Sequence, residues 1–381
     1  MRNEFTVIIN ETSIYNKIDS IVWQLIKYTN VLNVPENNVA GYIYEIFQNN
    51  NSLNQPQILE QQLLDIINKR LQIINNNRAK LYELLNQSQV AQRSPEWYEL
   101  RKNRLTASAV AQALGKGKFS SKADLLKSKA FPELDKPFDS HSSPPLRHGI
   151  ILEDMTARCY SQRLNNITIH NFGMIPHPTI NCFGASPDGI NELGIMVEIK
   201  TPYRRRVDGN IPYEYMIQMQ GQMAVCNISE CDFVDAEIYF NYKCIEDYIN
   251  DIEIVSSIND HGVIVEYFDE TNNRQHMYSP PYLTSQQCIT WATYIRSTKN
   301  TQCLILPWKL NKIIIKRVYF NEEVWAELIP QITNFWNEVI TMRNAGIDAL
   351  PVKTNKYVRK TPNAEPIKTQ NMAQFIDSDE D

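Results

Sequence analysis

No stretch of this 381-residue chain approaches the run of about 18 apolar residues that a membrane-spanning helix needs. The opening Met1-Arg2-Asn3-Glu4 leads into no long apolar segment of the kind that directs secretion. Neither membrane residence nor export is therefore expected. The seven cysteines are odd in number and contain no C-x2-C pair, which argues for reduced thiols in an intracellular compartment. Cys226 and Cys231 also have no partners at iron–sulfur cluster spacing. Positive charge is not in excess either, since 38 Lys and Arg face 43 Asp and Glu for a net charge of −5. A nucleic-acid binder with that balance must concentrate its cations locally. With 43% hydrophobic and 21% charged residues, the chain can bury one sizeable core with accessory elements, or two domains.

What the chain does contain is Ser186-Pro187-Asp188-Gly189 followed by Val197-Glu198-Ile199-Lys200, a D-x9-E-x-K spacing. The apolar residues of 194–200 predict a strand whose period of two sends Glu198 and Lys200 to one face and Val197 and Ile199 to the core. Asn191-Glu192-Leu193-Gly194 reads as a tight turn, so segments 182–186 and 195–200 are expected to form a hairpin that sets Asp188 beside Glu198. Two converging carboxylates attract a divalent cation, and hard oxygen donors suit Mg²⁺ or Mn²⁺. E-x-K alone is common as a solvated ion pair. The nearby S-P-D-G and three further segments make phosphodiester hydrolysis the leading expectation.

In the first of these segments, Arg147 to Ala157, Gly149 is expected to open a helix that buries Leu152, Met155 and Tyr160 and turns Glu153 to another face, as a further candidate ligand. In the second, Ser94 to Ser108, Trp97, Leu100 and Leu105 pack inward, leaving Arg101 and Arg104 as cations and Ser108 as a hydroxyl near the start of the next helix, where phosphate binds well. The third, Tyr213 to Met223, is a helix on which Gln218 and Gln222 share a face beside Met219 and Met223. Cations gather around these motifs: Arg101, Lys102, Arg104, Lys116, Lys118, Lys122 and Lys127 flank the second, and Arg204-Arg205-Arg206 follows the E-I-K strand. Arg104 and Arg204 to Arg206 are the weaker candidates for DNA contact.

Taken in order, W-x3-R-x4-T-A-S (Trp97 to Ser108), G-x3-E (Gly149 to Glu153), S-P-D-G, E-I-K-x-P (Glu198 to Pro202) and Y-M-x-Q-x-Q (Tyr215 to Gln220) resemble the phage lambda-type exonuclease family, the YqaJ-type viral recombinase nucleases of the PD-(D/E)XK superfamily, from about Gln92 to Tyr239. The resemblance implies an α/β (α+β) restriction-endonuclease-like core, with a mixed central sheet flanked by helices. It implies that Asp188, Glu198 and the Ile199 carbonyl ligate metal, that Glu153 serves a second metal position, and that Lys200 orients or activates the attacking water. Arg101, Ser108, Ser186 and Gln218 match the positions that hold a terminal 5′-phosphate. The implied activity is 5′→3′ digestion of double-stranded DNA ends with two Mg²⁺ per site, yielding 3′ single strands. A single-strand annealing protein and a homo-oligomer, a trimer, are the implied partners. The rival readings are a structure-selective or restriction-type endonuclease and a non-catalytic DNA-binding protein.

Around the core, residues 1–90 read as a helical extension whose asparagine runs are low-complexity loops, with helical spacing over 56–74 and a second short helix over 79–85. The core with its C-terminal elaboration spans 91–350. Strands are expected over 231–242, 262–268 and 313–320, a helix over 284–297, and a long helix capped by Asn321 that runs to Arg343. Trp325 and Trp336 on that helix read as core. Residues 351–381 read as a disordered tail with an acidic end.

Overall fold

The computed structural model describes residues 2–29, 36–49, 60–88, 90–92, 94–118, 120–135, 143–240, 242–255, 260–299 and 302–347; the expected tail lies outside them. Helices α1 (Arg2–Thr29), α2 (Glu36–Asn49) and α3 (Glu60–Leu85) come first. They are followed by α4 (Pro95–Lys102), β1 (Leu105–Thr106), α5 (Val110–Ala113), α6 (Lys122–Ala130) and α7 (Pro144–Arg163). Five short strands come next: β2 (Ile169–His170), β3 (Ile175–Pro176), β4 (Phe183–Ala185), β5 (Gly189–Asn191) and β6 (Met196–Lys200). The remainder is α8 (Tyr213–Cys226), β7 (Glu230–Tyr239), α9 (Ile245–Val255), β8 (His261–Phe268), β9 (Arg274–Tyr278), α10 (Ser285–Ser297), β10 (Leu304–Tyr319) and α11 (Glu322–Ala345).

A seven-stranded sheet runs β2-β5-β6-β7-β10-β8-β9, and a small second sheet runs β1-β4-β3. Within the larger sheet β6 and β7 are parallel while their neighbours are antiparallel, so the sheet is mixed and α8 is the crossover that a parallel pair requires. The architecture is thus the expected α/β one. β6 divides its side chains as the period of two demands. Met196 enters an apolar cluster with α8, α11, β1 and β4, whereas Val197 and Ile199 enter a second cluster built from α1, α2 and α3. The helices of the first 85 residues and the central sheet therefore share one core.

Several expectations are corrected by the packing. The hairpin partner of β6 is β5, with Gly189 opposite Val197 and Ile190 opposite Met196. Residues 183–185 leave for the small sheet, where Leu105 and Thr106 pair with Phe183 and Gly184. The helix carrying Glu153 starts at Pro144, with proline in its first turn, and Gly149 lies inside it. Residues 79–85 continue α3 without a break, and Asn75-Asn76-Asn77 lie within that helix, where buried Asn77 accepts hydrogen bonds from Ser229 N–H at 3.3 Å and Ser229 Oγ at 3.1 Å. β10 begins nine residues before the expected strand, because Leu304–Lys309 pairs with β8. The helix over 285–297 capped by Thr284, and α11 capped by Asn321, form as expected; Trp325 and Trp336 pack partly buried against the first cluster.

Gly194 closes the β5–β6 turn at φ +74° against α3, and a Cβ there would lie 2.4 Å from the Asn77 carbonyl carbon. Gly194→Ala is expected to destabilise the protein by more than the ~1–3 kcal/mol of a strained backbone alone, since helix backbone must also move. Equilibrium denaturation should show a lowered midpoint; an unchanged midpoint would contradict this packing.

No helix among the described residues is long and apolar enough to cross a membrane. All seven cysteines are free thiols, and burial pushes Cys159 and Cys226 up to about 12, which keeps them protonated and unreactive.

Candidate active site

Continuing the β5–β6 register one step brings Asp188 opposite Glu198. Asp188 Oδ2 accepts the Ile199 N–H at 2.7 Å, which ties the S-P-D-G turn to the E-I-K strand. Glu198 is fully buried. Its Oε1 accepts from Lys200 Nζ and, at 2.7 Å, from Gln218 Nε2; its Oε2 accepts from Gln222 Nε2 at 2.8 Å. The two glutamines lie one turn apart on α8, so the crossover helix presents two amide donors to one carboxylate. Lys200 Nζ also lies 4.9 Å from the centre of the Tyr215 ring.

The electrostatics follow from this crowding. Asp188 is raised well above the usual carboxylate range, first by burial and then by the charges of Glu198 and Glu153. Burial alone would lower Lys200, but Glu198 and Asp188 more than offset it and hold the ammonium above its ordinary value. Glu153 on α7 lines a cavity of about 350 Å³ together with Asp154, Asp188, Ile199, Gln92 and Asn171. Gln92 fixes the rim of that cavity by donating to the Phe172 carbonyl at 2.8 Å and the Pro187 carbonyl at 3.2 Å.

Among the described residues, no three His, Cys, Asp or Glu side chains stand at metal-holding spacing. Asp188 and Glu198 supply carboxylate oxygens, and the Ile199 carbonyl is the main-chain donor that the resemblance implies. That set fits Mg²⁺, which characteristically takes one or two carboxylates and fills its other positions with water and phosphate oxygen.

Of the expected phosphate-binding residues, Ser186 and Arg101 are linked through Trp97, Gln218 contacts Glu198, and Ser108 is not joined to them. Trp97 Nε1 donates to Ser186 Oγ at 3.0 Å, two residues before Asp188, and the Arg101 guanidinium lies 4.3 Å from the centre of the Trp97 ring. Burial lowers the Arg101 pKa. Ser108 is exposed, its Oγ 3.2 Å from Thr106 Oγ1, while Gln218 is turned to Glu198. Of the surrounding cations, Arg205 forms a two-pronged pair with Asp235 at 2.8 and 2.6 Å. Arg204 and Arg206 are exposed, Arg204 stacking near Tyr203. Arg104 is half-buried and reaches the Leu100 carbonyl at 3.4 Å. Lys118 and Lys122 are paired with Glu214 and Glu338. The i, i+4 spacing places Gln222 on the face of Gln218 and reads that polar row as a substrate contact; the structure turns both amides to Glu198. Nothing local marked Gln92.

The model of the YqaJ-like viral recombinase domain matches residues 96–229. An uncharacterized protein of Acanthamoeba polyphaga mimivirus is 26% identical over 332 residues, covering 76% of this chain and 58% of the relative, so the chain spans little more than half of that protein's length. Similar solved structures include the alkaline exonuclease LHK-Exo from Laribacter hongkongensis in complex with dAMP, 20% identical with a TM-score of 0.42 over 66% of this chain and 95% of that one. A phage-related exonuclease from Haemophilus somnus is 10% identical with a TM-score of 0.37, over 64% of this chain and 96% of that one. The segment that holds Arg101, Glu153, Asp188, Glu198 and Lys200 is thus the part of the chain that is similar to the YqaJ-like viral recombinase domain.

Proposed function

We propose that this protein is a metal-dependent exonuclease that digests double-stranded DNA from 5′ ends and leaves 3′ single strands for recombination, repair or viral genome processing. The observation that carries this reading is the convergence of Asp188, Glu198 and Lys200 on one hairpin inside the matched domain. Asp188, Glu198 and the Ile199 carbonyl would hold Mg²⁺ or Mn²⁺, with Glu153 serving a second position. When bound, such a pair of ions would supply a hydroxide nucleophile and positive charge for the leaving 3′-oxygen.

The residues of the chain do the rest. Gln218 and Gln222 fix the orientation of Glu198. Lys200 keeps a positive charge where negative charge develops on the scissile phosphate. Arg101, Ser108 and Ser186 receive the terminal 5′-phosphate, Gln218 borders that pocket, and exposed Arg204 and Arg206 face the backbone beyond it. Helices α1, α2 and α3 of the 1–90 extension would brace the sheet of a core spanning 91–350. A homo-oligomer, a trimer, and a single-strand annealing protein are the partners this reading suggests.

The test compares linear duplexes bearing a 5′-phosphate or a 5′-hydroxyl with covalently closed circles, in Mg²⁺ or EDTA, with Glu198→Ala as control. Metal-dependent loss of linear substrate alone, faster with the phosphate, is the expected result. Cutting of circles would replace this reading with an endonuclease, and inertness toward every substrate would favour a DNA-binding role without catalysis.

A further inference from the structure

Three helix ends meet beside Arg101. Lys129, in the last turn of α6, donates from Nζ to the Arg101 carbonyl at 2.5 Å. Arg343, in the last turn of α11, donates to the Lys129 carbonyl from Nε at 3.2 Å and from its terminal nitrogen at 2.7 Å, and its guanidinium lies 5.5 Å from the centre of the Trp336 ring. Each contact caps a helix carbonyl, which by itself would be a structural role. Capping supplies partial charge only, however, and three full positive charges are gathered here. Several enclosed cations elsewhere are neutralised, Arg70 by Asp19 and Glu230, Arg205 by Asp235 and Arg147 by Glu266. Among the described residues none of Arg101, Lys129 and Arg343 makes an ion pair, and the carboxylate of nearby Asp135 is engaged by Ser128 Oγ at 2.5 Å. All three cations remain partly accessible to solvent.

We infer that Lys129 and Arg343, together with Arg101, form a second phosphate subsite that holds the DNA backbone next to the terminal phosphate. The inference rests on the nuclease reading above and extends its pocket. The path from the carboxylates through Ser186, Trp97 and Arg101 reaches this cluster without a gap. Burial, then the charges of Arg101 and Arg343, lower Lys129 to about 8, with Asp135 opposing. The ammonium is therefore charged below that pH in the free protein and lost above it. A bound phosphate raises the value again, so binding takes up a proton and weakens as pH rises from 7 to 9.

The test measures binding of a short 5′-phosphorylated duplex in Ca²⁺ by fluorescence anisotropy, over a salt series at pH 7 and pH 9. Lys129→Gln is expected to weaken binding by roughly tenfold at pH 7, reduce the salt slope by about one, and remove the pH dependence. Lys129→Arg is expected to keep the affinity at pH 7 and lose the pH dependence, a rescue that a purely structural role would not give. A wild-type salt slope and pH response in Lys129→Gln would overturn the subsite and leave the nuclease reading standing. A second arm needs no DNA: acetic anhydride labels Lys129 at pH 8, and inorganic phosphate is expected to protect it, read by peptide mass spectrometry. Protection by phosphate in a protein that binds no DNA would support the anion site and overturn the nuclease reading; absence of both protection and DNA binding would overturn the two together.

Discussion

Lys200→Ala is expected to lower kcat by about 10²- to 10³-fold, the size of effect seen when one preorganised electrostatic group is removed from a transition state, with little change in DNA affinity. Lys200 is hydrogen-bonded to fully buried Glu198, and the charges of Glu198 and Asp188 hold its pKa above the ordinary value for lysine. In the nuclease proposed above it would act as a cation and proton donor, and not as the base that removes a proton from water. The activity of the wild type should accordingly show no loss from Lys200 titration between pH 7 and 10, and Lys200→Arg should retain more activity than Lys200→Ala. Removing the ammonium also leaves a buried carboxylate facing only two amides, and deleting one partner of such a pair costs about 3–5 kcal/mol. Single-turnover rates, anisotropy and a denaturation midpoint on the same variant separate these effects. A loss of DNA affinity as large as the loss in rate would remove Lys200 from the chemistry and assign it to substrate binding.

The local part of this site was legible in the sequence because it depends on short-range rules. Alternation along Met196–Lys200 put Glu198 and Lys200 on one face, and the turn at 191–194 set Asp188 across from them. The same rules misassigned the hairpin partner. Residues 183–185 are as strand-like as 189–191, and the choice between them is made by the pairing of β4 with β1, nearly eighty residues earlier in the chain. The asparagine run 75–77 looked like a loop by composition, yet tertiary contacts from Asn77 to Ser229 hold it in α3. Propensity is a weak prior that packing overrides. Lys129 sits in a K-S-K run that reads as a solvated face, and its significance appears only once α11 brings Arg343 back against it. Gln218 and Gln222 could be placed on one helix face, but that both amides meet the same carboxylate follows from the β6–α8–β7 crossover, which spacing alone does not reveal.

Arg70→Met is expected to destabilise the protein by about 3–5 kcal/mol, a large share of the stability of an ordinary domain. Arg70 on α3 is fully enclosed and donates to Asp19 of α1 at 2.6 and 2.8 Å and to Glu230 of β7 at 2.6 Å. Arg317 of β10 completes the network through Asp232 at 2.6 Å, and Asp232 accepts from the Tyr160 hydroxyl at 2.7 Å. Methionine fills similar volume but leaves Asp19 and Glu230 with Arg317 as their remaining cation. The loss falls on the joint between the first helices and the sheet, where Ile18, Val22, Leu71 and Ile74 pack with Val197 and Ile199. Those two valine and isoleucine side chains are the reverse face of the strand that carries Glu198 and Lys200. The helices thus act as a brace for the strand that carries Glu198 and Lys200, and their removal would expose its apolar side to water. Arg70→Met combined with Asp19→Asn and Glu230→Gln should recover part of the stability, because no carboxylate is then left uncompensated at the joint. Urea denaturation of the single and triple variants measures the coupling. A shift under 1 kcal/mol in the single variant would mean that the network is solvated in solution and that apolar packing alone holds the brace to the sheet.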